Sequence, residues 1–330
     1  MSLKRAQLHG DVDGYQSYFE QVKRAIDSEL SNLVPRISDL KLYKKIAYVL
    51  RTQGKRLRST LLMLSGQSVD GEERPLRKLA LSIELLHAAT LVHDDILDQD
   101  RFRRNALSAY VKWSIRDAVL IGDMLAAISL NLAADYGEEI LKIITQTGLL
   151  LCDGEYMDVE MAEEEMSETD YLEKIRKKSA SLFKTATRCG AIAAAGSPLE
   201  IDCLAEFGEN FGMAYQIKDD LSDIVSLKND IPPDLREFRV TLPLVHAYEI
   251  AKKGATRALL QGLKSQKEVN SSEENVLLGR LYESLETSGS LRYCVSKINY
   301  YSQRATTSLK PLRDSVYKSY LIVMAQSLRP

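Results

Sequence analysis

Residues 76–98 read LRKLALSIELLHAATLVHDDILD, and the fold is decided there. Leu76, Leu79, Ile83, Leu86, Thr90 and Leu91 recur at three- and four-residue steps and run straight into Asp94. That spacing stacks them on one face of a helix. The same period returns in Ala118, Val119, Ile121, Leu125, Ile128 and Leu132. Several such segments are apolar around much of their circumference, as in helices at the centre of a large bundle rather than at its rim. No proline falls between Pro75 and Pro198, and the 330 residues hold only 8 prolines and 17 glycines. The sequence therefore predicts an all-α chain, a single large helical bundle around a central apolar cavity. Loop signals are short: Gly66 to Gly71, Asn105 to Ser108, Gly196-Ser197-Pro198, Lys228 to Pro233 and Lys264 to Asn275. None of them divides the chain, so one domain is expected over residues 1–330, with Met1 to Leu3 a candidate cloning remnant.

Composition narrows the function. Hydrophobic residues make up 45% and charged residues 27%, as in ordinary globular proteins. A net charge of −2 argues against a nucleic-acid partner, which calls for a basic face. Cys152, Cys189, Cys203 and Cys294 form no CxxC pair, so neither a zinc site nor a disulfide framework is expected. No leader is evident and no apolar run reads as long enough to cross a bilayer, so the expected location is the cytoplasm.

Two acidic clusters sit inside apolar helical runs: Asp94-Asp95-Ile96-Leu97-Asp98 and Asp219-Asp220-Leu221-Ser222-Asp223. Positions i and i+4 share a helix face, so Asp94 with Asp98, and Asp219 with Asp223, each aim two carboxylates one way. Such pairs repel, and a half-buried pair calls for a cation. Magnesium takes hard oxygen ligands from one or two carboxylates and keeps room for phosphate. One DDxxD alone is as often a solvated acidic face, but two in apolar helices are not. Cations accompany them: Gly54-Lys55-Arg56-Leu57-Arg58, and Arg103-Arg104 just beyond Asp98. Together these imply two anions, one held through metal and one held by cations directly.

With those residues in place, the chain resembles the trans-isoprenyl diphosphate synthases, the polyprenyl synthetase family. GKRLR (54–58), HAATLVHDDILDQDRFRR (87–104), AVLIGD (118–123), GEYMD (154–158), KKSASLF (177–183), YQIKDDLSD (215–223) and DLREFRVTLPL (234–244) follow in the family's order. The resemblance implies the isoprenoid synthase fold. It also implies condensation of isopentenyl diphosphate with an allylic diphosphate: dimethylallyl, geranyl, farnesyl or geranylgeranyl. By the same resemblance Asp94, Asp95, Asp98, Asp219, Asp220 and Asp223 hold roughly three magnesium ions, with manganese as a substitute. Arg103, Lys178, Ser179 and Gln216 grip the allylic diphosphate. Gly54, Lys55, Arg58, His87 and Arg104 bind isopentenyl diphosphate. His87 alone would read as a core histidine; its place seven residues before Asp94 promotes it. His93 is left structural. Homodimers are implied, as is transient membrane contact for releasing a greasy product.

The chain departs from the family pattern at four places. Ser179 stands for threonine and Asn105 for glycine. Phe238-Arg239 replaces a Gly-Lys pair, leaving Arg239 to supply that charge, and Lys228 is the nearest lysine in a shortened loop after Asp223. A class I terpene cyclase would carry a different second metal motif and need no GKRxR cluster. A non-catalytic partner subunit would have lost its aspartates. Product length is read from the helix ahead of Asp94. Short-chain members close the tunnel with aromatics four and five residues before the first aspartate; here these are Thr90 and Ala89. Leu85, Leu86 and Ile83 lie deeper, and Ala126 and Ala127 are expected to widen the passage. One helical turn, ~5.4 Å, is on the order of one isoprene unit. Products longer than C15 follow, C20 to C30 with C25 as the central value; a farnesyl diphosphate synthase is the alternative.

Overall fold

The computed structural model describes residues 2–52, 54–160, 166–226, 241–250 and 271–330. Among these the chain is helical nearly throughout. Four helices lead to the first motif: α1 (Ser2–Arg36), α2 (Tyr43–Arg51), α3 (Leu57–Gln67) and α4 (Glu73–Leu97). Then come α5 (Ala109–Lys112), α6 (Ile115–Ala134), α7 (Glu138–Glu160) and α8 (Glu168–Ile175). A π-helical turn, Arg176–Ala180, joins α8 to α9 (Ser181–Ala193), and α10 (Pro198–Ser226) carries the second motif. The rest comprises α11 (Leu242–Ile250), α12 (Ser271–Thr287), α13 (Ser290–Ser308) and α14 (Val316–Gln326). A two-stranded hairpin, β1 (Phe102–Arg103) with β2 (Ala106–Leu107), was not expected.

Why α3 is central can be read from its residues. Every position from Ser59 to Gly66 is buried, so the helix has no wet face. Leu61 and Leu64 belong to one apolar cluster with Phe183, Phe207 and Phe211, and Leu62 and Met63 to a second with Leu79, Ile83 and Ile144. The small residues on α3 and α9 allow their backbones to touch. A Cβ built on Gly190 would lie 2.3 Å from the Leu62 carbonyl oxygen. Similarly α4 and α6 are clasped by serines: Ser82 Oγ donates to the Ser129 carbonyl at 2.8 Å, and Ser129 Oγ donates to that of Ser82 at 2.7 Å. These pairings set the position of α4, the helix that carries Asp94 at its C-terminal end, against α6.

Helix ends obey local chemistry. Ser114 and Ser315 accept from the backbone N–H groups of Asp117 and Lys318, and Ser167 forms a capping box with Asp170. Pro198 opens α10, where a missing N–H costs nothing. Two expectations are corrected. The polar stretch ending at Asn275 is helical from Ser271 onward, so not all of it is loop. And α6, 20 residues long, is apolar enough to cross a membrane on length and composition, contrary to the expectation that no run reaches that length. Its apolar character has an internal use, since Ala118, Ile121, Leu125 and Ala133 are buried. Ile115 and Leu120 are exposed.

The tight α3–α9 contact yields a paired test. Gly190→Ala should lower stability by about 1–3 kcal/mol, because the backbone it meets cannot yield. Gly148→Ala on α7, where an added Cβ meets nothing within 4 Å, should be neutral or stabilising. Urea melts of the two variants check both.

Candidate active site

The first acidic wall is the C-terminal end of α4. The helix stops because Gln99 adopts the left-handed conformation (φ 54°), leaving Asp98 as the cap residue one turn after Asp94. Asp95 lies off this face and is buried. Its Oδ1 accepts from Arg103 Nε at 2.6 Å, and Arg103 also reaches Asp100 Oδ2 at 2.8 Å. Burial pushes the Asp95 carboxyl up to about 6, against the pull of Arg103. The hairpin holds Arg103 there. Its turn residues, Arg104 and Asn105, both have positive φ (52° and 63°), as the tight two-residue turn requires. Asn105 tolerates that conformation, which explains how it stands where the family has glycine.

The facing wall is built from α7, the π-turn and α10. Lys178, on the π-turn, donates to Glu155 Oε2 at 2.8 Å and Asp158 Oδ2 at 2.6 Å. Lys174 takes the other oxygen of Asp158 at 2.6 Å. Gly154 makes this possible, because a Cβ there would lie 2.4 Å from the Lys178 backbone nitrogen. Burial alone would raise Asp158, but the two lysines hold its carboxyl well below the usual range. Conversely, burial would lower Lys178, and Asp158 and Glu155 keep its ammonium above its ordinary value. On α10, Asp220 is buried with both oxygens engaged, by Tyr171 Oη at 2.6 Å and Gln216 Nε2 at 2.8 Å. Ser179 Oγ donates to Gln216 Oε1 at 2.6 Å. Asp219 is exposed and Asp223 part-buried.

Asp95 and Asp220 are engaged by Arg103 and by Tyr171 and Gln216, and Asp94 with Asp98, like Asp219 with Asp223, share the i and i+4 face of their helices. Asp94 is raised to about 8, first by burial, then by Glu155 and Asp98, with Lys178 opposing. Glu155 Oε1 is buried without a hydrogen-bond partner. Among the described residues no three Asp, Glu, His or Cys side chains are gathered tightly enough to hold a metal alone. Magnesium does not need such a cage, since it keeps waters and takes phosphate oxygens beside one or two carboxylates. Crowded carboxylates with an orphaned oxygen fit a hard divalent cation.

Beside this lies a cationic cavity of about 470 Å3, lined by Gly54, Lys55, Arg58, His87 and Arg104, with Lys23, Arg56, Glu84 and Tyr215. Gly54 lets the Arg104 guanidinium lie close over the backbone, since a Cβ there would sit 2.7 Å from it and the arginine would have to shift. Arg58 Nη1 lies 3.0 Å from His87 Nε2 and stacks over the Phe183 ring at 4.3 Å, while its Nε is buried without a partner. Burial and the Arg58 charge depress His87 far below its usual value, so it is a neutral imidazole at pH 7. Of the remaining expected residues, Arg239 and Lys228 lie outside the described residues. Ala89 and Leu86 are buried in the apolar cluster with Ile144 and Leu182, and Thr90 Oγ1 donates to the His87 carbonyl at 2.9 Å. Ala127 is exposed, so it cannot widen an interior passage. His93 reaches α6, 3.2 Å from the Val119 carbonyl, in keeping with a structural reading. Sequence reasoning missed Glu155, Asp158, Lys174 and Tyr171. The i, i+3 carboxylates of GEYMD were the available signal for the first two.

The comparisons with known proteins agree. Residues 39–278 match the polyprenyl synthetase family. A short chain isoprenyl diphosphate synthase from Methanothermobacter thermautotrophicus is 30% identical, over 95% of this chain and 96% of its own. The crystal structure of a decaprenyl diphosphate synthase from Rhodobacter capsulatus superposes with a TM-score of 0.85 at 26% identity, covering 96% of this chain and 98% of its own. A polyprenyl synthase from Caulobacter crescentus, crystallised with calcium and isoprenyl diphosphate, gives 0.82 at 26% identity, covering 97% of each chain. The chain belongs to the polyprenyl synthetase family. It is an enzyme, a trans-prenyltransferase on the all-α isoprenoid synthase fold.

The raised Asp94 carboxyl makes a stability prediction for metal-free protein. A group whose folded pKa lies above its unfolded value stabilises fully at low pH and loses that contribution as pH rises. From about 4, the ordinary carboxylate value, to about 8, the melting temperature should therefore fall. Asp94→Asn should flatten this part of the profile. Thermal melts across that range in chelator, with and without the substitution, measure it.

Proposed function

We propose that this chain lengthens a linear isoprenoid by joining isopentenyl diphosphate to an allylic diphosphate. The observation that carries this reading is the pairing of two unlike anion sites: an acidic wall with an orphaned Glu155 oxygen, and a cationic cavity with an orphaned Arg58 Nε. Asp94, Asp98, Asp219 and Asp223 would hold magnesium, roughly three ions with manganese as a substitute, and it would supply charge to neutralise a departing diphosphate. The calcium and isoprenyl diphosphate described for the Caulobacter crescentus relative support a divalent ion.

The residues divide the work. Lys178, aligned by Asp158 and Glu155, offers an ammonium to the allylic diphosphate. Gln216 and Ser179, hydrogen-bonded to each other, fix the position of that wall, and Arg103 extends it. Lys55, Arg58 and Arg104 bind isopentenyl diphosphate, while neutral His87 orients Arg58. The allylic C–O bond breaks to a delocalised cation, the isopentenyl double bond forms the new C–C bond, and the departing diphosphate takes the proton that is lost. The apolar walls of α4, α7 and α9 keep water from the cation.

Small Ala89 and Thr90 before Asp94 support products beyond C15: geranylgeranyl, geranylfarnesyl or hexaprenyl diphosphate. The relatives named above run from short-chain to decaprenyl synthases and do not narrow this. The chain acts as one domain and a homodimer. Exposed Ile115, Leu120, Leu149 and Val159 on α6 and α7 offer an apolar face for a two-fold interface. The four free cysteines suit the cytoplasm, with membrane contact limited to product release.

Radiolabelled isopentenyl diphosphate with a series of primers tests the reading. Asp94→Asn and Asp219→Asn should each cut turnover by about two or more orders of magnitude with helicity intact. Full turnover in excess chelator would contradict the metal assignment. Separately, Ala89→Phe should shorten the product; an unchanged product, or a wild type that stops at C15, would contradict the ruler.

A further inference from the structure

The cationic cavity has a wall that no motif announces. Phe19 and Lys23, both on α1, line it together with Lys55, Arg58 and Arg104. They lie four residues apart, and Asp27 follows four residues later, so the three share one face of α1. Asp27 Oδ1 accepts from Arg56 Nε at 2.8 Å. The other end of that guanidinium, Nη1, meets Glu84 Oε2 at 3.2 Å on α4. Glu84 is 4% exposed and is held further by Ser59, whose Oγ donates to Oε1 at 2.7 Å and whose backbone N–H donates at 3.3 Å. Arg56 itself is in the left-handed region, φ 53°, immediately before α3.

A buried carboxylate and a strained arginine are each costly unless matched to partners. Here they form one chain, Asp27–Arg56–Glu84–Ser59, that ties α1, the GKRLR segment, α3 and α4 together. Its effect on the cavity is twofold. It uses up the charge of Arg56, the middle cation of GKRLR, so that this side chain belongs to the anchor and not to the ligand. It also sets the register of α1, so that Lys23, one turn before Asp27, comes to the cavity wall. The Tyr18 hydroxyl, hydrogen-bonded to Gln67 at the end of α3, fixes the same register from the other side.

Isopentenyl diphosphate carries several negative charges near neutrality, and Lys55, Arg58 and Arg104 come to the cavity from the GKRLR segment, the start of α3 and the hairpin. We infer that Lys23 of α1 is a further side chain binding the diphosphate of isopentenyl diphosphate, positioned by the Asp27–Arg56–Glu84 chain. This rests on reading the cavity as that substrate's site. It makes α1, which precedes every quoted motif, part of the active site.

The test uses the purified full chain. Lys23→Ala should raise KM for isopentenyl diphosphate about tenfold, the loss of one charged hydrogen bond. KM for the allylic primer and kcat should stay within about twofold, and Lys23→Arg should restore most of the affinity. Calorimetric titration with inorganic diphosphate in chelator should show the same loss. Asp27→Asn, which keeps the lysine but weakens the anchor, should raise KM for isopentenyl diphosphate by a smaller factor. Arg24→Ala, an exposed neighbour, is the control. The inference is overturned if Lys23→Ala matches Arg24→Ala while Lys55→Ala raises the same KM. A flat response to Lys55→Ala as well would overturn the assignment of the cavity, and this inference with it.

Discussion

Asp94 stands where Glu155 and Asp98 repel it and burial denies it water, and Lys178 alone among its close neighbours on the facing wall relieves it. Everything around the site is arranged so that this conflict persists in the folded chain. α4 is clasped to α6 by reciprocal serines, which sets the helix that places Asp94. Lys178 is shared among Asp158, Glu155 and Asp94, so it offsets the Asp94 charge only in part. Below about pH 8 the Asp94 carboxyl relieves this repulsion by keeping its proton; in the proposed reaction a divalent cation arriving with a diphosphate would relieve it instead.

Charge is then sorted by helix. On the α4, α7 and α10 side, carboxylates from three helices crowd around Lys174 and Lys178, which suits a substrate that arrives with metal. On the α3 and hairpin side, Arg58, Arg104 and Lys55 surround a cavity whose one carboxylate, Glu84, is consumed by Arg56 and Ser59. In the proposed reaction two polyanions of similar chemistry would be held side by side in different ways, one through metal and one directly. Arg103, tied to Asp95 and Asp100, lies on the boundary beside Arg104. Two glycines keep these walls close: Gly54 under Arg104, and Gly154 against the backbone of Lys178.

Much of this was legible in residues 76–98 and 214–223, because an apolar helical period interrupted by paired carboxylates has few innocent explanations. The division within each DDxxD was legible too, because i and i+4 share a face and i+1 does not. Asp95 and Asp220 accordingly turn to Arg103, Tyr171 and Gln216. The Asp158–Lys174–Lys178 network was hidden because it spans from α7 across α8 to a π-turn, and no local pattern predicts that register. The hairpin was hidden because its strands are two residues long and its turn uses Arg104, an unusual residue for the left-handed region. Ala127 was misplaced by a helix rotation that spacing alone does not fix.

The account depends most on the two substrates being held by different chemistry. Crystals grown with manganese, an allylic thiolodiphosphate that resists ionisation, and isopentenyl diphosphate would test this through the anomalous signal. The account predicts manganese between the Asp94–Asp98 and Asp219–Asp223 faces, bridged by the allylic analogue. The second diphosphate should lie against Lys55, Arg58 and Arg104 with no metal. Manganese in the cationic cavity, or the allylic diphosphate bound there while the aspartates hold nothing, would contradict it.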